Sequence, residues 1–170
     1  RDPKTGDYGV AVQSRYFAVG DVVPHAAANT GAIATQARGN LLYGIQGLEM
    51  LGDGLAADDV IRRLIEDDPL RDERQVGIVA ADGRAATYTG SKTLPWSGGV
   101  TGENYAAQGN LLAGPEVVDA MAAATSRPGD VIGLINRRFV LRLWLLRSWV
   151  FFFSSRRRHT RYRQRPPRDG

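Results

Sequence analysis

The chain has 170 residues, no cysteine and a formal net charge of +4, from 22 Lys+Arg against 18 Asp+Glu. The absence of cysteine excludes disulfides, thiolate metal sites and a Cys nucleophile within it. The charge is unevenly placed: residues 137–170 hold eleven arginines and one acid, Asp169, for +10, while residues 1–136 stand at −6, which leaves that larger part no electrostatic reason to bind nucleic acid or an anionic membrane.

Asp2-Pro3-Lys4-Thr5-Gly6 is turn chemistry, with Pro presetting φ and Gly taking a positive one. Tyr8–Ser14 then reads as a strand, buried over its first residues. It delivers the polar groups Gln13, Ser14 and Arg15 before the apolar run Tyr16-Phe17-Ala18-Val19-Gly20. A turn at residue 2 needs a strand before it, so a segment upstream of Arg1 is expected. Val22 and Val23 continue an apolar path to Pro24-His25. Gly31–Ala37 is small, apolar and closed by Gly39, which suits a strand covered on both faces. Residues 40–44 read as a loop. Residues 45–51 read as a short helix, closed by Gly52-Asp53-Gly54.

The clearest helix follows. Asp58 and Asp59 favour its positive dipole end. Val60, Ile61, Leu64 and Ile65 make one apolar stripe, Arg62, Arg63, Glu66 and Asp67 face water, and Pro69 stops it. Arg74–Ala80 is a strand, Ala81-Asp82-Gly83 its turn and residues 84–89 its partner. Residues 98–102 read as a glycine-rich loop, and residues 105–112 as a strand or extended segment carrying Gln108-Gly109-Asn110. Gly114-Pro115-Glu116 opens a helix with Val117, Val118, Met121 and Ala122 as its apolar face. Arg127-Pro128-Gly129-Asp130 breaks the pattern. Strand pairs, two consecutive helices and more strands point to an α+β domain over residues 1–130.

Residues 131–170 form a basic tail. Its apolar stretch, 139–153, has fifteen residues with Arg142 and Arg147 inside, whereas a membrane span needs about 20 mostly apolar ones. The arginines around His159 and Tyr162 admit a nucleic-acid or localisation patch. The run from Phe151 to Arg161 is, however, similar to the translated sequencing-adapter peptide found at the ends of metagenomic reading frames. The tail is therefore expected to be foreign to the domain, disordered or non-native, and is left out of the fold. No nucleic-acid or membrane partner is expected.

Several short pieces keep a common order: Arg1-Asp2-Pro3, Thr5-Gly6, Gly9-Val10-Ala11-Val12, Ser14-Arg15-Tyr16-Phe17-Ala18-Val19-Gly20, Val23-Pro24, Gly31-Ala32-Ile33-Ala34-Thr35-Gln36 and Tyr43-Gly44. Arg74-Gln75-Val76-Gly77, Thr89-Gly90, Gln108-Gly109-Asn110-Leu111-Leu112-Ala113-Gly114 and Glu116-Val117-Val118 follow. In this order they resemble the DUF1028 family, bacterial proteins of unassigned function placed in the N-terminal-nucleophile (Ntn) hydrolase superfamily. The resemblance covers residues 1–124. It implies an Ntn-hydrolase-like αββα sandwich, incomplete here, with the first strand and the C-terminal part missing. It also implies an attacking Thr or Ser upstream of Arg1, whose own α-amine, titrating near pH 8, serves as base.

The supporting groups within the chain follow from that. Ser14 is a candidate to hydrogen-bond the amine, and Arg15 to anchor a carboxylate substrate; the plainer role is to finish a strand. Asn110 is the candidate oxyanion donor, with Gln108 beside it. Thr35 and Gln36 are candidate wall residues. His25, the one histidine outside the tail, makes neither a metal site nor a triad. Gly98 to Gly102 lacks the Lys-Ser/Thr ending of a phosphate loop. Asp58-Asp59 and Glu66-Asp67-Asp68 read as solvated helix ends, and Trp96 as a sheet-edge cap or a pocket wall. No cofactor and no metal are expected. The expected partner is a small-molecule or peptide-like substrate, a homo-oligomer stays open, and a cytoplasmic location is favoured. The alternative is a non-catalytic binding or structural protein on the same fold.

Overall fold

The computed structural model describes residues 1–14, 16–125 and, as strand backbone, 149–155. Arg15, the break at 127–130, the domain boundary after residue 130 and the arginine block lie outside the described residues.

The opening turn forms as its residue types dictate. Gly6 sits at φ +74, its N–H donates to the Asp2 carbonyl, and Asp2 Oδ1 accepts from Lys4 N at 2.8 Å. It leads into β1 (Tyr8–Ser14). Tyr8 and Val10 point inward while Gly9, Ala11 and Gln13 are exposed, the alternation of a strand with one covered face. β1 pairs antiparallel with β8 (Trp149–Ser155), from Tyr8↔Ser155 to Ser14↔Trp149. One edge of β1 is thus occupied by a segment of the basic tail.

The main sheet has four antiparallel strands in the order β2 (Pro24–Ala27), β3 (Gly31–Ala37), β4 (Arg74–Ala80) and β5 (Ala85–Thr89). Every residue of β4 is buried, so both faces of the sheet are covered. On one face lie α1 (Leu41–Gly52) and α2 (Ala57–Glu66). They bury Val60, Ile61 and Leu64 against Ile33, Val76, Ile78 and Ala86. At about 25 cal/mol per Å² of apolar area removed from water, this is the main stabilising term. On the other face lie β1 and the hairpin of β6 (Gly98–Gly102) and β7 (Tyr105–Gly109). α3 (Pro115–Thr125) covers that hairpin from outside.

Four expectations change. Residues 40–44 are not a loop: Asn40 caps α1, its Oδ1 accepting from Leu42 N at 3.1 Å, and the helix starts at Leu41. Gly44 hid this first turn from the apolar periodicity, and Gly47 follows one turn later in the helix. Ideal Cβ atoms there would lie 2.2 Å from the His25 ring and 2.5 Å from Ile33 Cδ1, so these glycines let α1 sit close on β2 and β3. Residues 98–102 are a strand, paired from Gly98↔Gly109 to Gly102↔Tyr105. On α3 only Val118 is buried; Val117, Met121 and Ala122 stay partly open.

Asp68 is the fourth. It is not solvated: its side chain is 9% exposed, as is that of its partner Arg74, whose Nε donates to Asp68 Oδ2 at 2.8 Å. Tyr43 Oη donates to the same oxygen at 2.7 Å, Leu70 N reaches Oδ1 at 2.8 Å, and Arg74 Nη1 donates to the Arg38 carbonyl. Hydrogen bonding from Arg74 holds the Asp68 carboxyl well below the usual carboxylate range, against the opposing effect of burial. Burial first, then the bond to Asp68, pushes the Tyr43 phenol up. This clasp joins α1, the turn after α2 and the start of β4.

Candidate functional site

β4 alternates. Arg74, Val76, Ile78 and Ala80 face the helices, so Gln75, Gly77 and Val79 face the β6–β7 hairpin. Gln75 is fully buried, at 0% exposure. A buried amide without partners costs about 1–3 kcal/mol, so its surroundings must satisfy it. Its Nε2 lies 2.8 Å from Gly109 O, 2.9 Å from Thr89 Oγ1 and 3.2 Å from Gly98 O, three acceptors that share its two N–H groups. Its Oε1 accepts from Gln36 Nε2 at 2.8 Å and Asn110 Nδ2 at 3.1 Å. One side chain thereby ties together β3, β5, β6 and the segment that leaves β7.

Glycines make the close approach of the two β layers possible. An ideal Cβ on Gly77 would lie 2.2 Å from Gln108 Oε1, and one on Gly99 would lie 2.8 Å from Thr87 Oγ1. Gln108 lies in the space over Gly77, its Nε2 3.4 Å from the Ala34 carbonyl oxygen. The cluster of Gln36, Gln75, Gln108, Asn110 and Thr89 contains no ionisable side chain. Its chemistry is that of amide N–H donors and carbonyl acceptors.

The structure therefore brings together three of the residues selected from the sequence: Gln36 and Asn110 through Gln75, with Gln108 alongside. Thr35 faces the other way, into the helix side of the sheet, where its Oγ1 donates to the Asn40 carbonyl at 3.3 Å. Ser14 ends β1, and its Oγ accepts from Tyr16 N at 3.0 Å, a local turn bond. The residue that sequence reasoning passed over is Gln75. Its signal was available: a lone amide in Arg74–Ala80, a strand otherwise apolar beyond its first residue, must find buried partners.

Elsewhere, Trp96 packs its ring against Gly98 and exchanges backbone hydrogen bonds with Leu112. His25 rests on Gly44, with its Nε2 buried and unpartnered among the described residues. Burial pushes its imidazole down, partly offset by a backbone hydrogen bond with Val22. A hollow of about 440 Å³ lies away from the amides, beside Lys4, Thr5, Tyr8 and Asn29. Among the described residues no cluster of His, Asp and Glu can hold a metal ion, and no helix is long and apolar enough to cross a membrane.

Antiparallel sheets with three helices define a mixed α+β protein. The family model of DUF1028, a family of unknown function, matches residues 1–143, and the chain belongs to that family. The crystal structure of a DUF1028 protein from Silicibacter pomeroyi is similar, with a TM-score of 0.70 and 33% identity over 72% of this chain and 57% of that one. The chain thus spans a little over half the length of that relative. Among curated proteins none matches.

Proposed function

We propose that this chain is the larger part of an N-terminal-nucleophile amide hydrolase, an αββα sandwich whose attacking Thr or Ser lies upstream of Arg1. Asn110 is its oxyanion donor, Gln36 and Gln108 line the site, and the substrate is a small molecule or a peptide-like amide. One observation supports the reading: Gln36 and Asn110 are both fixed by donating to Gln75 Oε1, at 2.8 and 3.1 Å, and each amide nitrogen keeps a second N–H. Amide N–H donors held in place are what a tetrahedral oxyanion requires. The mechanism needs no cofactor.

The test extends the reading frame upstream until a Thr, Ser or Cys becomes the first residue. An electrophilic lactone is then expected to label that residue. Equal labelling after its replacement by Ala sinks the proposal. Asn110→Ala is expected to slow labelling by about a hundredfold, the low end of the loss of one oxyanion donor.

A second reading is a non-catalytic binding protein. It is favoured by the cluster's lack of any ionisable group and by the complete engagement of Gln75. It predicts ligand binding without labelling.

A further inference from the structure

The two helices that cover the main sheet have unlike outer faces. α2 turns Asp58, Arg62, Arg63 and Glu66 to water, as a solvated helix face does. α1 does not. Its inner face buries Tyr43, Gly44, Gly47 and Leu51. On its outer face Leu41, Leu42 and Ile45 stay 50%, 53% and 51% exposed. Leu41, Ile45 and Glu49 stand at i, i+4 and i+8 and make one stripe, with Leu42 alongside. A helix apolar on both sides is ordinarily covered on both, and among the described residues α1 is covered on one.

The charge of α1 points to what covers the other. Glu49 is its one charged side chain. It stands toward the C-terminal, negative end of the helix dipole, which disfavours a carboxylate, and no described cation forms an ion pair with it. The first turn holds no acid, so the positive end has no carboxylate of its own. An antiparallel second copy of α1, related by a two-fold axis at Ile45, corrects both. Position 41 then faces position 49, so Glu49 of each copy reaches the positive end of the other helix, while Ile45 meets Ile45. The stripe is complementary to itself, as a two-fold interface requires.

We propose that the outer face of α1 is a homodimer interface, two α1 helices packed antiparallel about Ile45. The proposal stands apart from the hydrolase reading. The half-exposed Leu41, Leu42 and Ile45 supply about a few hundred Å² of apolar surface per copy. That is below the roughly 600–1,000 Å² per partner of a standard interface, so the dimer is weak and reversible, with a dissociation constant in the micromolar range.

The experiment is sedimentation equilibrium of the full chain up to roughly 100 µM, where a micromolar dimer predominates. Ile45→Glu sets two carboxylates on the axis and is expected to raise the dissociation constant at least about a hundredfold. Glu49→Lys is expected to raise it about fivefold, through its two contacts with helix ends. Because the chain has no cysteine, Ile45→Cys adds a single thiol. On oxidation it is expected to cross-link the two copies at least about tenfold faster than Glu66→Cys on the outer face of α2, since the axis brings the two thiols together. A chain that stays monomeric overturns the proposal and leaves this face to a further segment of a longer family protein. A dimer that Ile45→Glu leaves intact overturns it too and moves the interface elsewhere, as does Ile45→Cys linking no faster than Glu66→Cys.

Discussion

The two faces of the four-stranded sheet are held by different physics. The helix side is apolar, with Val76 and Ile78 fully buried under α1 and α2, and closes at one end with the Asp68–Arg74 ion pair. The hairpin side carries Gln75 and Gly77 from the same strand and is held by amide hydrogen bonds. Burial on the first side is non-directional and tolerates repacking. Satisfaction on the second side is directional, and losing one partner strands the others. The second face is therefore the one whose geometry is set finely enough to position chemistry.

Substitutions can break or sharpen this contrast. Ile78→Ala on the helix side is expected to cost about 4 kcal/mol, lost transfer energy plus a cavity, read by urea unfolding. Asp68→Asn leaves the Arg74 guanidinium buried without its charge partner and is expected to cost about 3 kcal/mol. On the hairpin side, Gln75→Leu leaves the Gln36 and Asn110 donors and the Gly98 and Gly109 carbonyls short of a partner, at about 2 kcal/mol. It is also expected to alter the NH2 resonances of both amides, which Ile78→Ala leaves in place. A Gln75→Leu cost above that of Ile78→Ala would mean that the amide layer, not the apolar one, is the principal core.

The smallest effect is on pH. Burial lowers the folded-state value of His25, so the unfolded chain takes up that proton first. Its contribution is present above about pH 6.5, the ordinary imidazole value, and fades as the pH falls toward the folded value. Asp68 is also depressed, and its contribution is lost only below about pH 4, the ordinary carboxylate value. Unfolding measured in pH steps should show the two losses in that order, and His25→Gln should remove the upper one alone.

Much of this was legible in the chain. Tyr8–Ser14, Gly31–Ala37 and Arg74–Ala80 are strands with the bounds read from their residues, because alternation and flanking glycines are local signals. The stripe of α2 was equally plain. The start of α1 and the strand β6 were hidden by glycines, whose value lies in what packs against them. Asp68 looked like a solvated helix end, since its partners Tyr43 and Arg74 come from other elements. Gln36, Gln108 and Asn110 were visible as amides at strand ends, but Gln75, which joins Gln36 and Asn110, was not.

The order of residues alone determined where β1, β3, β4, β5 and the second helix run, because those preferences act over a few neighbouring residues. The tertiary structure decided which face each strand turns to the helices, the burial of Asp68, and the meeting of Gln36, Gln75 and Asn110 at one oxygen. Those outcomes depend on contacts between residues 25 to 39 positions apart, which pair only once the sheet has closed and both its faces are covered.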